Sequence, residues 1–287
     1  MTLSYIYKKL KDPNILTQLD ARFGLGRLEK LIFSNWFNPF LTLWINFRSL
    51  PIKYAIRLPI WIYGHPRLYC LSGKFQFKCK IKSGLIKINI VKYGAPGNMS
   101  SQSELYNLGT IIFEGRCEIG TGNKIITAIG KSLTLGNNCV IMDRCTIAVH
   151  DKIKIGRNTR IAHNCQIIDT NFHFIANYNK GIIPRRTAMV SIGESCWICN
   201  SSSIMMGSVI PNYAIVGSHS IVNKDFSGIE EGCIIAGAPA KLIKEKYIRV
   251  FNYEVEKKIW RYFNETDADY FPIKEVSIEE LSKIDKL

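Results

Sequence analysis

The sequence predicts an all-β parallel β-helix, a three-sided column in which short strands are joined by tight corners. The first observation is an aliphatic residue at every sixth position, a period that matches neither a single helix nor a strand packed on one face. The second is a small residue four positions after each of the first five, where a corner leaves little room. The aliphatic positions are Ile192, Ile198, Ile204, Ile210, Val216 and Val222, and the small ones are Cys196, Ser202, Ser208, Ala214 and Ser220.

The same pattern recurs upstream in shorter stretches, which is the third observation. Eighteen residues would form one coil, so the pattern predicts roughly five or six coils stacked about 4.8 Å apart. A β-sandwich would instead show alternation of period two and irregularly spaced turns. The upstream positions are Phe113, Ile119 and Ile125, then Leu135, Ile141 and Ile147, then Ile155, Ile161 and Ile167, with Ile229 and Ile235 at the end.

Six of the nine cysteines fall on the small inward positions, so we interpret them as packing residues. The C-x-x-C pair of Cys196 and Cys199 has no second pair at zinc-site spacing, and we interpret it as structural. Free thiols and an N-terminus without a signal-peptide core predict a cytoplasmic protein. The six packing cysteines are Cys117, Cys139, Cys145, Cys165, Cys196 and Cys233.

The charge is concentrated at the N-terminus. The net charge is +15, and residues 1–100 hold 16 Lys and Arg against 3 Asp and Glu. Within residues 30–65, aromatic runs alternate with basic residues and fall short of the roughly 20 apolar residues that span a bilayer. Two interpretations stay open: peripheral association with the inner face of a membrane, or an aromatic cap on the column. Nucleic-acid binding is not predicted, because no recognition module accompanies the charge.

These patterns divide the chain into three parts. Residues 1–109 form a basic, aromatic-rich N-terminal region, 110–241 the column, and 242–287 a C-terminal extension. In the extension, apolar residues at three- and four-residue steps predict a helix, and Ser277 to Glu280 predict a capping box for a last short helix. The helical positions are Ile243, Tyr247, Val250, Phe251, Val255, Ile259 and Tyr262.

Residues 192–226, IGESCWICNSSSIMMGSVIPNYAIVGSHSIVNKDF, followed by AGAPAKLI at 236–243, carry a family resemblance. They resemble the C-terminal coils of hexapeptide-repeat acyltransferases, close in pattern to maltose, galactoside and polysaccharide O-acetyltransferases. The resemblance implies a left-handed β-helix, although crossover physics alone favours the opposite hand. It also implies a homotrimer with sites between columns, acetyl-CoA as donor, and an acceptor sugar hydroxyl in a cell-surface polysaccharide or glycan precursor.

The six-residue pattern breaks between Ile167 and Ile192, which predicts a loop over 168–191 that leaves the column. In the family such a loop carries the catalytic histidine, and Asp169-Thr170-Asn171-Phe172-His173 resembles that motif. Acyl transfer from a thioester to a hydroxyl needs a base for the hydroxyl proton, and a neutral imidazole can supply it. Asp169, Asn171 or a backbone carbonyl would orient that imidazole. The alternative is a histidine that merely hydrogen-bonds the column.

The resemblance also suggests residues for the two substrates. Lys224 and Lys241 would meet the coenzyme A phosphates, and a solvated surface role is their alternative. The remaining donor-binding candidates are Trp197, Asn200, Gly217, Ser218, Ala236 and Gly237. The acceptor-binding candidates are Asp143, Arg144 and His150, which do not preserve the Asn and Asp of related sugar acetyltransferases.

Two other classes of function remain open. A metal-dependent hydratase of the carbonic anhydrase kind needs three imidazoles on zinc, but His150, His163 and His173 lack the expected close spacing. No metal is therefore predicted. A non-catalytic β-helix scaffold is the other class, and an acyl chain longer than acetyl is a variant of the transferase.

Overall fold

The computed structural model describes residues 36–91, 101–273, 280–281 and 283. In these ranges the chain winds into the predicted left-handed parallel β-helix, with three sheets as its faces. The corner from the first sheet to the second is called the first edge, that from the second to the third the second edge, and that from the third back to the first the third edge.

Each complete coil contributes one short strand to each face, and the C-terminal end of the chain adds further strands to the first face only. The first sheet contains β1 (Ile60–Ile62), β4 (Ile86–Ile88), β7 (Cys117–Ile119), β10 (Cys139–Ile141), β13 (Arg160–Ile161), β16 (Trp197–Ile198), β19 (Ile215–Val216), β21 (Cys233–Gly237) and β22 (Ala240–Glu245). The second contains β2 (Arg67–Cys70), β5 (Glu104–Asn107), β8 (Lys124–Thr127), β11 (Thr146–Val149), β14 (Gln166–Ile168), β17 (Ser203–Ile204) and β20 (Ile221–Val222). The third contains β3 (Lys74–Phe77), β6 (Thr110–Phe113), β9 (Ser132–Leu135), β12 (Lys152–Ile155), β15 (Val190–Ile192) and β18 (Val209–Ile210).

The predicted aliphatic positions lie directly above one another inside the column. In the first sheet Ile161 pairs with Ile198, and Ile198 with Val216, in parallel register. The positions from Phe113 to Val222 and Ile235 are buried in one continuous core, and Ile229 packs against it half-buried. The six-residue pattern is therefore confirmed as the stacking repeat of the core.

The small inward residues close the corners with hydrogen bonds. The Ser202 hydroxyl donates to the Gly217 carbonyl at 2.8 Å, and the Ser208 hydroxyl donates to the Val222 carbonyl at 2.9 Å. The Cys196 thiol donates to the Pro211 carbonyl at 3.1 Å in the same way. Each bond pairs a corner carbonyl with a donor that a larger apolar side chain would not supply.

The cysteines are packing residues, as predicted. All nine are free, and the six inward ones are buried. Burial raises the pKa of Cys139 and of Cys196 to about 12. Because the thiolate is the reactive form, these thiols are chemically inert in the folded chain.

The column begins about fifty residues before the predicted boundary between residues 109 and 110. Ile60 already pairs with Ile86, and Ile86 with Cys117, in the parallel register of the first sheet. The six-residue period is hidden here because 26 residues separate Ile60 from Ile86, whereas 18 separate Trp197 from Ile215. Aromatic side chains such as Phe75 also replace aliphatic ones in the core.

An aromatic helix caps the first coil. The helix α1 (Pro39–Ser49) begins at Asn38, whose side chain accepts a hydrogen bond from the Leu41 N–H. On its buried face the Asn46 amide bonds both backbone polar groups of Ile60, and the Thr42 hydroxyl accepts from the Ile62 N–H. A short helix, α2 (Ile52–Ala55), follows it. Residues 30–35 of the predicted cap lie outside the described ranges.

The C-terminal extension is less helical than predicted. The strand β22 pairs antiparallel with β21, so residues 242–245 are extended. Closing the otherwise bare edge of β21 outweighs the local helical pattern. The predicted helix is present only as α3 (Tyr253–Glu265), and residues 277–279 of the predicted capping box lie outside the described ranges.

Within the described ranges, every helix is too short or too polar to cross a bilayer.

Truncation of one stacked residue should destabilise the whole column. Ile204 is completely buried, whereas Ile221 in the next strand of the same sheet is 42% exposed. We expect Ile204→Ala to lower the free energy of unfolding by about 2–5 kcal/mol, because it leaves a cavity. Ile221→Ala is the matched control, with an expected loss below about 1 kcal/mol. Urea unfolding measures both, and equal losses would contradict the inward stacking.

Candidate active site

A narrow hairpin leaves the column at the second edge. It spans residues 169–189 between β14 and β15, close to the predicted loop over 168–191. Its two arms are joined by backbone hydrogen bonds from Asn171 N–H to the Arg186 carbonyl at 2.9 Å and from Ala188 N–H to the Asp169 carbonyl at 3.1 Å. Further out, Asn177 and Ile182 form an antiparallel bridge. The excursion is therefore an ordered hairpin on a rigid support.

Asp169 anchors this hairpin to the preceding coil. One of its carboxylate oxygens accepts from the His150 N–H at 2.7 Å, and the other accepts from the Asp151 N–H at 2.8 Å. The residue is fully buried. Burial raises the pKa of the Asp169 carboxyl, and the two N–H donors oppose that shift only in part. Both oxygens are thus engaged by backbone, and the predicted orientation of His173 by Asp169 stays a prediction.

Phe172 forms a constrained turn immediately before His173. Its φ of 59° lies in the left-handed region, which is costly for a residue with a side chain. Three contacts hold it there. Its N–H donates to the Thr170 hydroxyl at 3.0 Å, its carbonyl accepts from Arg186 Nη1 at 2.7 Å, and its ring packs edge-on against His150 at 5.3 Å.

His173 lies on the outer surface of this turn. Its backbone N–H donates to the Asn171 carbonyl at 2.7 Å, and the side chains of both residues are exposed. An exposed imidazole on a turn fixed from three sides can meet a substrate without rearrangement of the column. Asn171 lies beside it, so its predicted orienting role remains compatible with the geometry.

The three predicted acceptor-binding residues do not come together. His150 is half-buried at the second edge beside the hairpin. Asp143 and Arg144 follow β10 and therefore lie on the first edge. Asp143 is buried there, and its carboxylate accepts from the Thr121 N–H at 2.7 Å, so it stabilises a corner. His150 is consequently the acceptor candidate that lies near His173.

Most predicted donor-binding residues do cluster, on the first edge of the last coils. The Ser218 hydroxyl donates to the Asn200 side-chain oxygen at 2.8 Å. A Cβ added to Gly217 would lie 2.9 Å from the Ala236 Cβ, so the hairpin of β21 and β22 approaches this edge closely. Lys241 pairs with Ala236 in that hairpin and carries an exposed side chain. We call Asn200, Gly217, Ser218, Ala236, Gly237 and Lys241 the donor cluster.

Two donor candidates lie elsewhere. The ring of Trp197 is covered by the Arg249 guanidinium, whose carbon lies 5.0 Å from the ring centre, and Arg249 in turn lies 5.0 Å from the Phe251 ring. The C-terminal extension therefore crosses the outer face of the first sheet. Lys224 follows β20, on the second edge, with its ammonium 4.9 Å from the Phe226 ring centre.

Sequence reasoning missed two arginines, Arg186 in the hairpin and Arg249 in the C-terminal extension. The contacts of Arg186 with the carbonyl of Phe172 and the ring of Phe174 join the two arms of the hairpin. Arg249 covers Trp197 from a distant segment. No local period or motif marks either arginine, because each acts through a tertiary contact.

The described residues do not gather the ligands of a metal centre. In the ranges that the structure covers, no three or more His, Cys, Asp or Glu side chains are grouped to hold an ion. His163 follows β13 on the first edge, whereas His150 and His173 lie at the second. Within one column, therefore, the three imidazoles of the hydratase alternative do not converge.

Several relatives of this chain are named as O-acetyltransferases. No family model matches the chain. A putative lipopolysaccharide biosynthesis O-acetyl transferase of Escherichia coli K12 is 29% identical over 163 residues, which cover 54% of this chain and 78% of the relative. The galactoside O-acetyltransferase of the same organism is 25% identical over 171 residues, covering 56% and 82%. The chain resembles the hexapeptide-repeat O-acetyltransferases. An uncharacterised 24.8 kDa protein of the Klebsiella pneumoniae cps region is 28% identical over 173 residues, covering 60% and 72%.

The hairpin anchor can be tested by stability. Replacement of Asp169 by Asn keeps the shape but leaves one buried backbone N–H facing an amide donor, which should lower the free energy of unfolding by about 1–3 kcal/mol. Asp151→Asn is the matched control, because its carboxylate forms a half-exposed pair with Lys131 at 3.6 Å, worth less than about 1 kcal/mol. Urea unfolding distinguishes them, and indistinguishable losses would contradict the anchoring role.

Proposed function

We propose that this chain is an acetyl-CoA-dependent O-acetyltransferase that modifies a sugar hydroxyl of a cell-surface polysaccharide or its glycan precursor. The observation that carries the proposal is the anchored hairpin, which holds the exposed imidazole of His173 on a constrained turn. Similarity to a lipopolysaccharide O-acetyl transferase and a galactoside O-acetyltransferase supports the class of acceptor.

His173 acts as the general base in this proposal. Its neutral imidazole accepts the proton of the acceptor hydroxyl while the hydroxyl oxygen attacks the thioester carbonyl. The new C–O bond forms and the C–S bond breaks, and the departing sulfur of coenzyme A takes the proton from the imidazolium. We assign Asn171, whose backbone carbonyl accepts from the His173 N–H, to orient the imidazole, and His150, which packs against Phe172, to contact the acceptor.

The donor cluster supplies the chemistry expected for coenzyme A. Gly237 leaves its backbone accessible to the pantetheine arm, Gly217 allows Ala236 to approach the first edge, and the hydrogen-bonded pair of Asn200 and Ser218 presents polar groups there. The ammonium of Lys241 would meet the nucleotide phosphates. Lys224, on the other edge, would meet a donor that spans two columns.

A homotrimer would bring the two halves of the site together. The hairpin leaves one column at the second edge, whereas the donor cluster lies on the first edge. The outer part of the hairpin exposes large apolar side chains, with Tyr178 89% exposed, and such surfaces usually contact a partner. We therefore place the hairpin of one copy against the donor cluster of its neighbour. The other exposed apolar residues are Phe174, Ile175, Ile182 and Ile183.

No second function is favoured by a specific observation. The scaffold alternative is decided by the first experiment below. The cytoplasmic location stays a prediction, supported by nine free cysteines.

Loss of His173 should abolish transfer while leaving the fold intact. With acetyl-CoA and a panel of sugar acceptors, we expect acceptor-dependent release of free thiol from the wild type. His173→Ala should reduce that rate by about 10²–10⁴-fold, the usual contribution of a general base. His65→Ala is the control, because His65 is exposed on the first coil and should retain full activity. Full activity without His173 would overturn the proposed mechanism.

Subunit complementation tests whether the site is shared. Gly217→Val would push Ala236 away and disable the donor cluster, while His173→Ala disables the base. In a closed trimer, coexpression of the two inactive chains in equal amounts should restore about a quarter of wild-type activity, because a quarter of the sites combine two intact halves. Absence of recovery would mean that both halves of the site lie in one column. It would overturn the shared site but not the proposal of acetyltransfer.

A further inference from the structure

The helix α1 has one face buried against the column and an opposite, apolar face that is exposed. Thr42, Ile45 and Asn46 are buried against the first coil. The opposite face is formed by Phe40, Leu43, Trp44 and Phe47, and all four side chains are exposed, Phe40 by 79% and Trp44 by 57%. An outer helix face in water normally carries polar residues. This face carries three aromatic rings and a leucine instead.

The exposed surface continues through α2. Ile52 and Ile56 are both more than 60% exposed, and the Lys53 ammonium lies 4.8 Å from the centre of the Tyr54 ring. The exposed side chains within residues 40–57 thus lie on two consecutive helices at the end of the column. We call this set of exposed side chains the aromatic cap. Singly scattered apolar residues need no explanation, but a set of this density marks an interaction site.

The segment that carries the aromatic cap has charges of a single sign. Residues 36–91 contain nine Lys and Arg and no Asp or Glu. Three of these cations, Arg48, Lys53 and Arg57, lie within the cap and are exposed. An aromatic surface interleaved with cations is complementary to a layer that is apolar inside and anionic outside. The contact region of a protein partner would instead be depleted of charge at its centre.

The position of the cap leaves the site accessible. The buried face of α1 is bonded to Ile60 and Ile62 of the first coil, so its exposed face points away from the column. The hairpin leaves after β14, four strand spacings beyond β2 in the second sheet, or about 19 Å along the column at roughly 4.8 Å a step. A surface bound at the cap would therefore not cover His173.

We propose that the aromatic cap docks the chain onto an anionic lipid bilayer. Trp44, Phe40 and Phe47 enter the boundary between head groups and acyl chains, and the three cations meet lipid phosphates. This attachment lies in the plane of the membrane surface and does not require a spanning helix. It goes beyond the acetyltransfer proposal, since it concerns where the chain acts and not the reaction.

Vesicle flotation with the full chain tests the proposal. We expect at least tenfold more chain bound to vesicles of phosphatidylcholine with phosphatidylglycerol than to phosphatidylcholine alone, with a decrease as salt increases. Trp44→Ser with Phe47→Ser should reduce binding at least tenfold, and so should combined replacement of Arg48, Lys53 and Arg57 by Gln. Trp260→Ser is the matched control, because Trp260 is 71% exposed on α3, outside the aromatic cap, and it should bind as the wild type does.

Several results would overturn the proposal. One is the absence of binding to the anionic vesicles, and another is an equal loss of binding in the Trp260 variant. A change of sedimentation coefficient in the lipid-free Trp44→Ser variant would show that the cap contacts a second copy. Lack of acrylamide quenching of Trp44 in the lipid-free chain, from the difference with Trp44→Phe, would show that another segment covers it. Turnover of soluble acceptors by the cap variants should equal that of wild type, so failure of docking and failure of acetyltransfer are distinguishable.

Discussion

The stack of aliphatic side chains inside the column determines the position of everything else. Each strand is only two to four residues long over much of the column, so its own ladder hydrogen bonds cannot hold it. What holds it is contact with the same position in the coils above and below, as in the series Ile161, Ile198 and Val216. Stability in such a column is shared among neighbours, and each coil depends on the next. The corner bonds of Ser202 and Ser208 then pair backbone carbonyls at the corners of the column.

How much the sequence could reveal follows from how local each interaction is. The ladder from Ile192 to Val222 repeats every six residues because its corners are of equal length, so its period is visible directly. The earlier coils have longer connections and aromatic filling, which hides the same architecture between Ile60 and Cys117. The predicted helical pattern is wrong for residues 242–245, because β21 stabilises β22 from outside the local pattern.

The candidate site, too, could be predicted from the sequence only where its signal is local. The break in the ladder located the hairpin, and the resemblance singled out His173. The bonds of Asp169 to the backbone of His150 and Asp151, and the contact of Arg186 with Phe172, join residues from different coils or arms. Neither the spacing of these residues in the sequence nor their residue type predicts such contacts. Asp143 shows the opposite error, since a carboxylate that looks suitable for a substrate is used to bond a corner N–H.

The hairpin also has a consequence for how this architecture can diversify. The corresponding corner of the preceding coil, between β11 and β12, consists of His150 and Asp151 alone. The hairpin starts and ends at the same two faces, so the register of the coils beyond it does not depend on its length. Loop insertions of this kind cost little additional closure entropy as they lengthen. The fold can thus exchange this hairpin, which carries the proposed base, without any change to the stack of aliphatic side chains beneath it.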